Sequence, residues 1–520
     1  MSWQAVPRAV ARRLTPTTWL EHPGVQRVFR LLPAVMILAW AAAAWFWFRP
    51  TSLALDWNSV RQADTQTIAR HLAEPGASLL YPRIDWGGDG PGYVETEFQL
   101  YAGMVSVLLR LFGDAEWPGQ LLSLLATVLA AFALHRGLRA RLGALPAALG
   151  LGIFLAAPVT LFGATSVQPD ALALLGFIVA WEAFLRYADT HELRPLVVYA
   201  LCGTLAMLIK PTMAQLGIDA VVFVMIARPS VLRSPAPWIA WIVMGLCLFV
   251  WMRHAAMLNA VYGNTFGVLS GYDSKMPKLD HLFMPRLYYR AFTVTRQWGM
   301  GLVGTLAVIW AVVQRRGHAV TLALGVGALV WMVLSLRYSS EHYGTHYTMC
   351  ATLVAAYAGA QCLAGTGAEY RFPVAVVAAL ALALGLQRAS VYRRWQPHED
   401  KSSAIVAEAA RETGKHARPG DLVILRSKLP AYDQFWRTPF NRNDPRLFYA
   451  TRTHGWCRSV DTDDAAELES FRSRGARFYV EPYGTPDLPG VNAWLRQHGR
   501  LLATLESGGH LYALEAGGKN

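Results

Sequence analysis

Charge is scarce in this sequence: Asp, Glu, Lys and Arg make up 16% of 520 residues, against 54% hydrophobic residues. So apolar a composition excludes an ordinary soluble enzyme. Cysteine is scarce too, at five residues. Cys202, Cys247, Cys350 and Cys362 lie inside apolar blocks, where cysteine packs as a small hydrophobe, and Cys457 stands alone in a polar tail. That excludes a disulfide framework and a paired-cysteine metal site. The chain has no glycine-rich phosphate loop, so no nucleotide is expected, and no internal repeat or low-complexity tract. The first 30 residues are basic and contain Pro7, Pro16 and Pro23, but Leu31–Phe48 is too long for a cleaved leader and reads as a retained first helix.

What the sequence has instead is apolar blocks of bilayer-crossing length. Spans are expected near 31–48, 118–135, 145–163, 170–186, 195–209, 212–227, 237–255, 298–313, 318–336, 345–363 and 373–390. The net charge of +13 is membrane-related rather than a nucleic-acid signal, because the basic residues flank these blocks. With the N-terminus inside, arginines gather in the inner loops: Arg136/Arg139/Arg141, Arg186/Arg194, Arg228/Arg233, Arg315/Arg316 and Arg371. The short outer loops carry almost none, which is the positive-inside pattern. Phe98–Phe112 is apolar but short and carries Arg110, so it reads as an interfacial or re-entrant helix; a crossing there would turn the arginine-rich loops outward.

The expected fold is an α-helical polytopic membrane protein of about eleven spans, with interfacial helices in its first outer loop and a soluble C-terminal α/β domain. The membrane domain runs over residues 1–390, with outer loops at 49–117 and 256–297, and the outer domain over 391–520. In the tail, helices are expected at Ser402–Thr413, Asp464–Arg474 and Val491–His498. Strands are expected at Leu422–Leu425, Arg446–Thr451, Arg477–Glu481, Leu501–Leu505 and Leu511–Glu515.

The first outer loop carries the chemistry. Asp56 precedes a pattern (Val60, Ala63, Ile68, Leu72) that reads as an amphipathic helix on the membrane surface. A carboxylate there is either a general base for an acceptor hydroxyl or a helix cap. Arg61 and Asp64, at i and i+3, either pair with each other or leave Arg61 for a phosphate. Residues 81–93 then run YPRIDWGGDGPGY, with Arg83, Asp85 and Tyr93, followed by Glu95 and Glu97. Glycines and prolines shape this loop, and its mix of aromatic faces with carboxylates suits sugar binding. A divalent metal on these acids is the open alternative, although the spacing matches no defined metal loop.

The stretch WNSVRQADT (57–65), followed by GYVETEFQLY (92–101), resembles bacterial membrane glycosyltransferases of the C-type superfamily. These are relatives of the protein mannosyltransferases and of the lipid A aminoarabinose transferases. The tail segments PRLFY (445–449) and HGW (454–456) are similar to their outer domain. The resemblance implies that the acid shortly after the first span, Asp56, is the catalytic base. Protein mannosyltransferases carry an adjacent acidic pair there, whereas this chain has Asp56-Trp57-Asn58, so a second acid has to come from Glu95 or Glu97.

The implied reaction is inverting transfer of a sugar from a polyprenyl-phosphate donor to an envelope glycan, lipid or other acceptor. It would take place at the outer face of a bacterial inner membrane, in contact with membrane lipids and with no nucleic acid. Phosphate-binding candidates are Arg61, Lys210, Arg290, Arg296 and Arg337; Tyr289, His342 and His346 complete the substrate-binding set. Lys210 could equally snorkel. Asp170 reads as a helix-dipole acid, and His342 with His346 as a hydrogen-bonded rim pair or half of a metal site. No cofactor is required by any motif. The alternative class is a transporter or flippase of a lipid-linked saccharide, for which ionisable groups near the membrane midplane are the expected mark.

Overall fold

The structure is a computed structural model and describes residues 23–50, 52–53, 59–267, 279–313, 319–340, 345–399, 401–429, 432–433, 438–439, 443–484 and 487–515. Asp56, Tyr272, Lys275, Lys278 and His342 lie outside the described residues.

Seven described helices are long and apolar enough to cross a membrane: Leu31–Phe48, Trp117–Leu142, Asp170–Thr190, Pro235–Tyr262, Pro285–Val313, Thr348–Gly365 and Glu369–Gln387. A bent helix pair, Ala144–Ala156 and Pro158–Thr165 meeting at 64°, makes an eighth candidate, as a broken span or a re-entrant loop. The bend falls at Pro158, whose ring cannot continue the preceding helix. The remaining three expected blocks are the shorter apolar helices Leu193–Ile209, Pro211–Ala227 and Ala319–Leu334. One helical core, containing Phe154, Phe177, Trp181, Phe184 and Tyr199, joins most of these elements. Large apolar side chains such as Ile242, Phe249, Val377 and Leu384 face outward, as a lipid-facing surface requires.

Leu100–Phe112 is a helix of 13 residues. At a rise of about 1.5 Å per residue it reaches only about 20 Å, short of a bilayer core. It packs on the helix Ser59–Ala73. That helix departs from expectation: Ala63, Asp64, Thr65, Gln66, Thr67, Ile68 and Ala69 are all buried, so it has no wet face and is not an amphipathic helix lying on a membrane. It is enclosed because the tail covers it. Ala63, Ile68 and Leu72 share one core with Tyr101 and Val105 and with Val406, Val423, Phe478 and Leu511 of the tail.

The tail is an α/β unit whose strands are β1 (Leu422–Arg426), the two-residue β2 (Tyr432–Asp433) and β3 (Thr438–Pro439), β4 (His454–Arg458), β5 (Ala476–Tyr483), β6 (Gly499–Thr504) and β7 (Gly508–Leu514). The main sheet has the order β4-β1-β5-β7-β6. β1 lies parallel to β4 and β5, while β5–β7 and β7–β6 are antiparallel. Helix Lys401–Gly414 covers the face that joins the first loop, and helices Ala465–Ser473 and Pro489–His498 cover the other.

Arg446–Thr451 is a helix, not the expected strand, and His454–Arg458 is a strand that the sequence reading did not anticipate. The run Leu447-Phe448-Tyr449 is buried on consecutive positions. A half-buried strand would alternate; a short helix wedged between two other helices need not. Pro445, with φ −72°, presets the helical entry. Edge strand β4 is covered by the first loop: Gly455 N–H donates to Asp85 O (2.9 Å) and Gly88 N–H to Gly455 O (2.7 Å). Gly88 has φ +81°, and a Cβ there would stand 2.5 Å from Trp456 Nε1, so both its conformation and its neighbour demand glycine.

Candidate active site

Four charged side chains meet where the first loop joins the helical body. Glu97 lies at a bend in a non-helical segment pinned to two helices. Phe98 N–H donates to Leu208 O (3.0 Å), and Trp251 Nε1–H donates to Thr96 O (3.1 Å). The first bond brings Glu97 to the end of helix Leu193–Ile209. There Lys210 leaves the helix at φ −142° and ψ 105°, the extended conformation that a following proline, Pro211, enforces. Lys210 Nζ lies 3.5 Å from Glu97 Oε1 and 3.6 Å from Asp170 Oδ2. Arg61 Nη2 bonds the same Glu97 Oε1, and Thr96 Oγ1–H donates to Oε2 at 2.9 Å.

The helix carrying Arg61 is fixed from the opposite side, since Val167 N–H donates to Gln62 Oε1 (2.8 Å). Asp170 opens its own helix, where the dipole favours an acid, yet among the described residues neither carboxylate oxygen accepts a hydrogen bond. The side chains are 19% (Arg61), 5% (Glu97), 11% (Lys210) and 2% (Asp170) exposed. Two cations and two anions therefore sit almost dry, and their mutual attraction is far stronger than it would be in water.

Asp64 faces the same helix's neighbourhood through Trp86, whose Nε1–H donates to Oδ1 at 2.9 Å. Burial pushes the Asp64 carboxyl up to about 7, and the Trp86 bond and Arg61 only partly offset it. Burial works against the Arg61 charge, but Glu97 and Asp64 hold its pKa above the ordinary value.

The other expected residues divide into three groups. Glu95 is fully buried and accepts from Thr265 Oγ1, across a bridge pairing residues 95 and 265. Arg83 braces the loop surface, bonding Glu74 Oε2 (2.8 Å) and Pro91 O (3.0 Å), and Asp85 Oδ1 bonds His71 Nε2 (2.7 Å). Tyr93 contributes its carbonyl to Asn264 and its ring to Tyr81 and Tyr262. These contacts shape the loop. Tyr289 and Arg296 are exposed, and Arg290 and Arg296 make no ion pair among the described residues. Arg337 lies in helix Leu336–Ser339, and His346 in helix Thr345–Gly365. Among the described residues, no three His, Cys, Asp or Glu side chains gather as metal ligands.

Sequence reasoning named Asp170 only as a helix-start acid, and its approach to Lys210 joins two loops far apart in the chain. Trp86 and Thr96 gave no signal beyond their residue type.

A family model described as dolichyl-phosphate-mannose-protein mannosyltransferase matches residues 100–253, a span that holds Asp170 and Lys210. The fold is similar to ArnT from Cupriavidus metallidurans in the apo state, with TM-score 0.59 and 15% identity over 93% of this chain and 98% of that one. It is similar to the same protein bound to undecaprenyl phosphate, with TM-score 0.58 and 14% identity over 93% and 97%. It is also similar to the Archaeoglobus fulgidus oligosaccharyltransferase tethered with an acceptor peptide, with TM-score 0.52 and 11% identity over 96% and 75%. No curated protein sequence matches the chain. The fold is thus like that of ArnT, and the expected resemblance to membrane glycosyltransferases is borne out.

Proposed function

We propose that the protein is an inverting glycosyltransferase that moves a sugar from polyprenyl phosphate to an envelope glycan, lipid or other acceptor at the outer face of a bacterial inner membrane. One observation carries this reading: Arg61 and Lys210 converge on Glu97 at a helix end, on a fold shared with a protein whose structure holds undecaprenyl phosphate. A donor phosphate on a lipid tail has to lie at the membrane edge, and two buried cations there suit it.

In the proposed reaction Asp56 removes the proton from an acceptor hydroxyl. The hydroxyl oxygen attacks the anomeric carbon from the face opposite the phosphate. The carbon–oxygen bond to phosphate breaks, and its electron pair leaves on polyprenyl phosphate. Arg61 and Lys210 neutralise that charge, so the leaving group needs no general acid. Glu97, bonded to both cations, fits a positioning role better than that of a second base, and Glu95 is taken up by Thr265.

The test is sugar transfer by purified protein in lipid, from a panel of radiolabelled polyprenyl-phosphate hexoses and pentoses with envelope acceptors present. Turnover by wild type that Asp56→Asn lacks is the expected result. A broad panel with no turnover, together with flux of a lipid-linked sugar into liposomes, would favour transport, to which the buried Asp219 in helix Gln215–Ala227 is the pertinent feature.

A further inference from the structure

The tail sheet changes character along its strands on the face that carries helices Ala465–Ser473 and Pro489–His498. Beneath those helices the face is apolar, with Ile424, Tyr479 and Leu514 in one core. One step along the same strands it is polar: Arg426 on β1, Glu481 on β5 and His510 on β7. The register pairs Glu481 with His510 and Tyr479 with Tyr512. This polar row floors a cleft of about 590 Å³, walled by Tyr512 and by Asn492 and Arg496 of helix Pro489–His498.

Arg426 is bonded to Glu481 Oε1 (3.0 Å) and to Val460 O (2.7 Å), with side chains only 3% and 11% exposed. Burying such a pair contributes little net stability, because desolvation takes back most of the Coulomb gain. Fixed beneath the cleft, the pair makes a rigid polar floor, and Asn492, Arg496 and His510 supply the lining donors and acceptors, at a size suited to a small-molecule ligand. Charge in the cleft is close to balanced, Arg426 and Arg496 against Glu481 and Asp487. Paired donors and acceptors beside an aromatic ring suit hydroxyl groups and the apolar face of a sugar.

We infer that this cleft is a glycan-binding subsite that takes a short stretch of a neutral saccharide. The inference rests on the transferase reading and deepens it: the acceptor is then an extended glycan, held by the tail at a point away from the sheet face that packs on the first loop.

The experiment uses full-length protein in lipid nanodiscs and a set of fluorescent neutral and uronate-containing oligosaccharides of two to six sugars. Undecaprenyl phosphate binding is measured in parallel as an independent readout. Wild type should bind neutral oligosaccharides. Tyr512→Ala and the exposed Arg496→Ala should each weaken that binding at least tenfold and leave undecaprenyl phosphate binding unchanged. Failure of all the saccharides to bind, binding of uronate chains alone, or equal binding by wild type and Arg496→Ala would overturn the assignment. Loss of undecaprenyl phosphate binding by wild type would instead count against the transferase reading.

Discussion

Asp64 illustrates how burial sets chemistry at a single residue. Its carboxyl titrates near 7, against an ordinary value of 3.8. An acid whose pKa is raised in the folded state destabilises the fold wherever the unfolded chain is ionised. The penalty is absent below about pH 4, grows as pH rises, and is complete above pH 7. Asp64→Asn keeps an acceptor for Trp86 Nε1 and removes the penalty. It should raise Tm by several degrees at pH 8, less at pH 5, and not at all near pH 3.5; equal gains at every pH would show that the carboxyl titrates normally.

Glu97→Gln leaves Arg61 and Lys210 buried without their shared countercharge, a change of the kind that costs about 3–5 kcal/mol. It should lower both Tm and turnover, and a double-mutant cycle with Arg61→Met should show strong coupling. Arg61, Glu97 and Lys210 were legible as residue types because each stands at a loop or span end. Their convergence was not, since it is made by the bonds Phe98 N–H to Leu208 O and Val167 N–H to Gln62 Oε1, which no local pattern announces.

At the scale of elements, the helix Arg446–Thr451 fastens the tail to the first loop. Arg446 forms a two-pronged bond to Asp444 (2.9 and 2.7 Å) and reaches Ser403 at 3.1 Å, while Tyr449 Oη–H donates to Glu116 (3.0 Å). Arg70 stacks on the Tyr449 ring at 4.0 Å. Arg446→Ala leaves Asp444 buried without its partner and should expose the first loop to protease without unfolding the spans. An unchanged cleavage pattern would contradict this anchoring. Gly88→Ala should speed amide exchange at Gly455, because Trp456 has to move. The sequence pattern failed in both partners of this contact for one reason. A helix packed on several sides loses its 3.6-residue polarity, so Ser59–Ala73 mimics a surface helix with too few apolar positions and Leu447-Phe448-Tyr449 mimics a strand.

For the whole molecule, the membrane spans were the most legible feature, because bilayer length and hydropathy act on contiguous residues. Break points, such as the 64° bend at Pro158, depend on packing and were not. The charge pattern also predicts orientation. A membrane-impermeant maleimide should label Glu506→Cys, in the tail, from outside intact cells, and should label Arg194→Cys only after permeabilisation; the reverse result would invert the topology.

The most direct test of the account is the affinity of the purified protein for undecaprenyl phosphate. Arg61→Ala and Lys210→Ala should each weaken it at least tenfold, whereas Arg83→Ala, on the loop surface, should not change it. Wild-type affinity in both cluster variants would contradict the central claim, making the four-charge cluster a structural network with the donor phosphate held elsewhere.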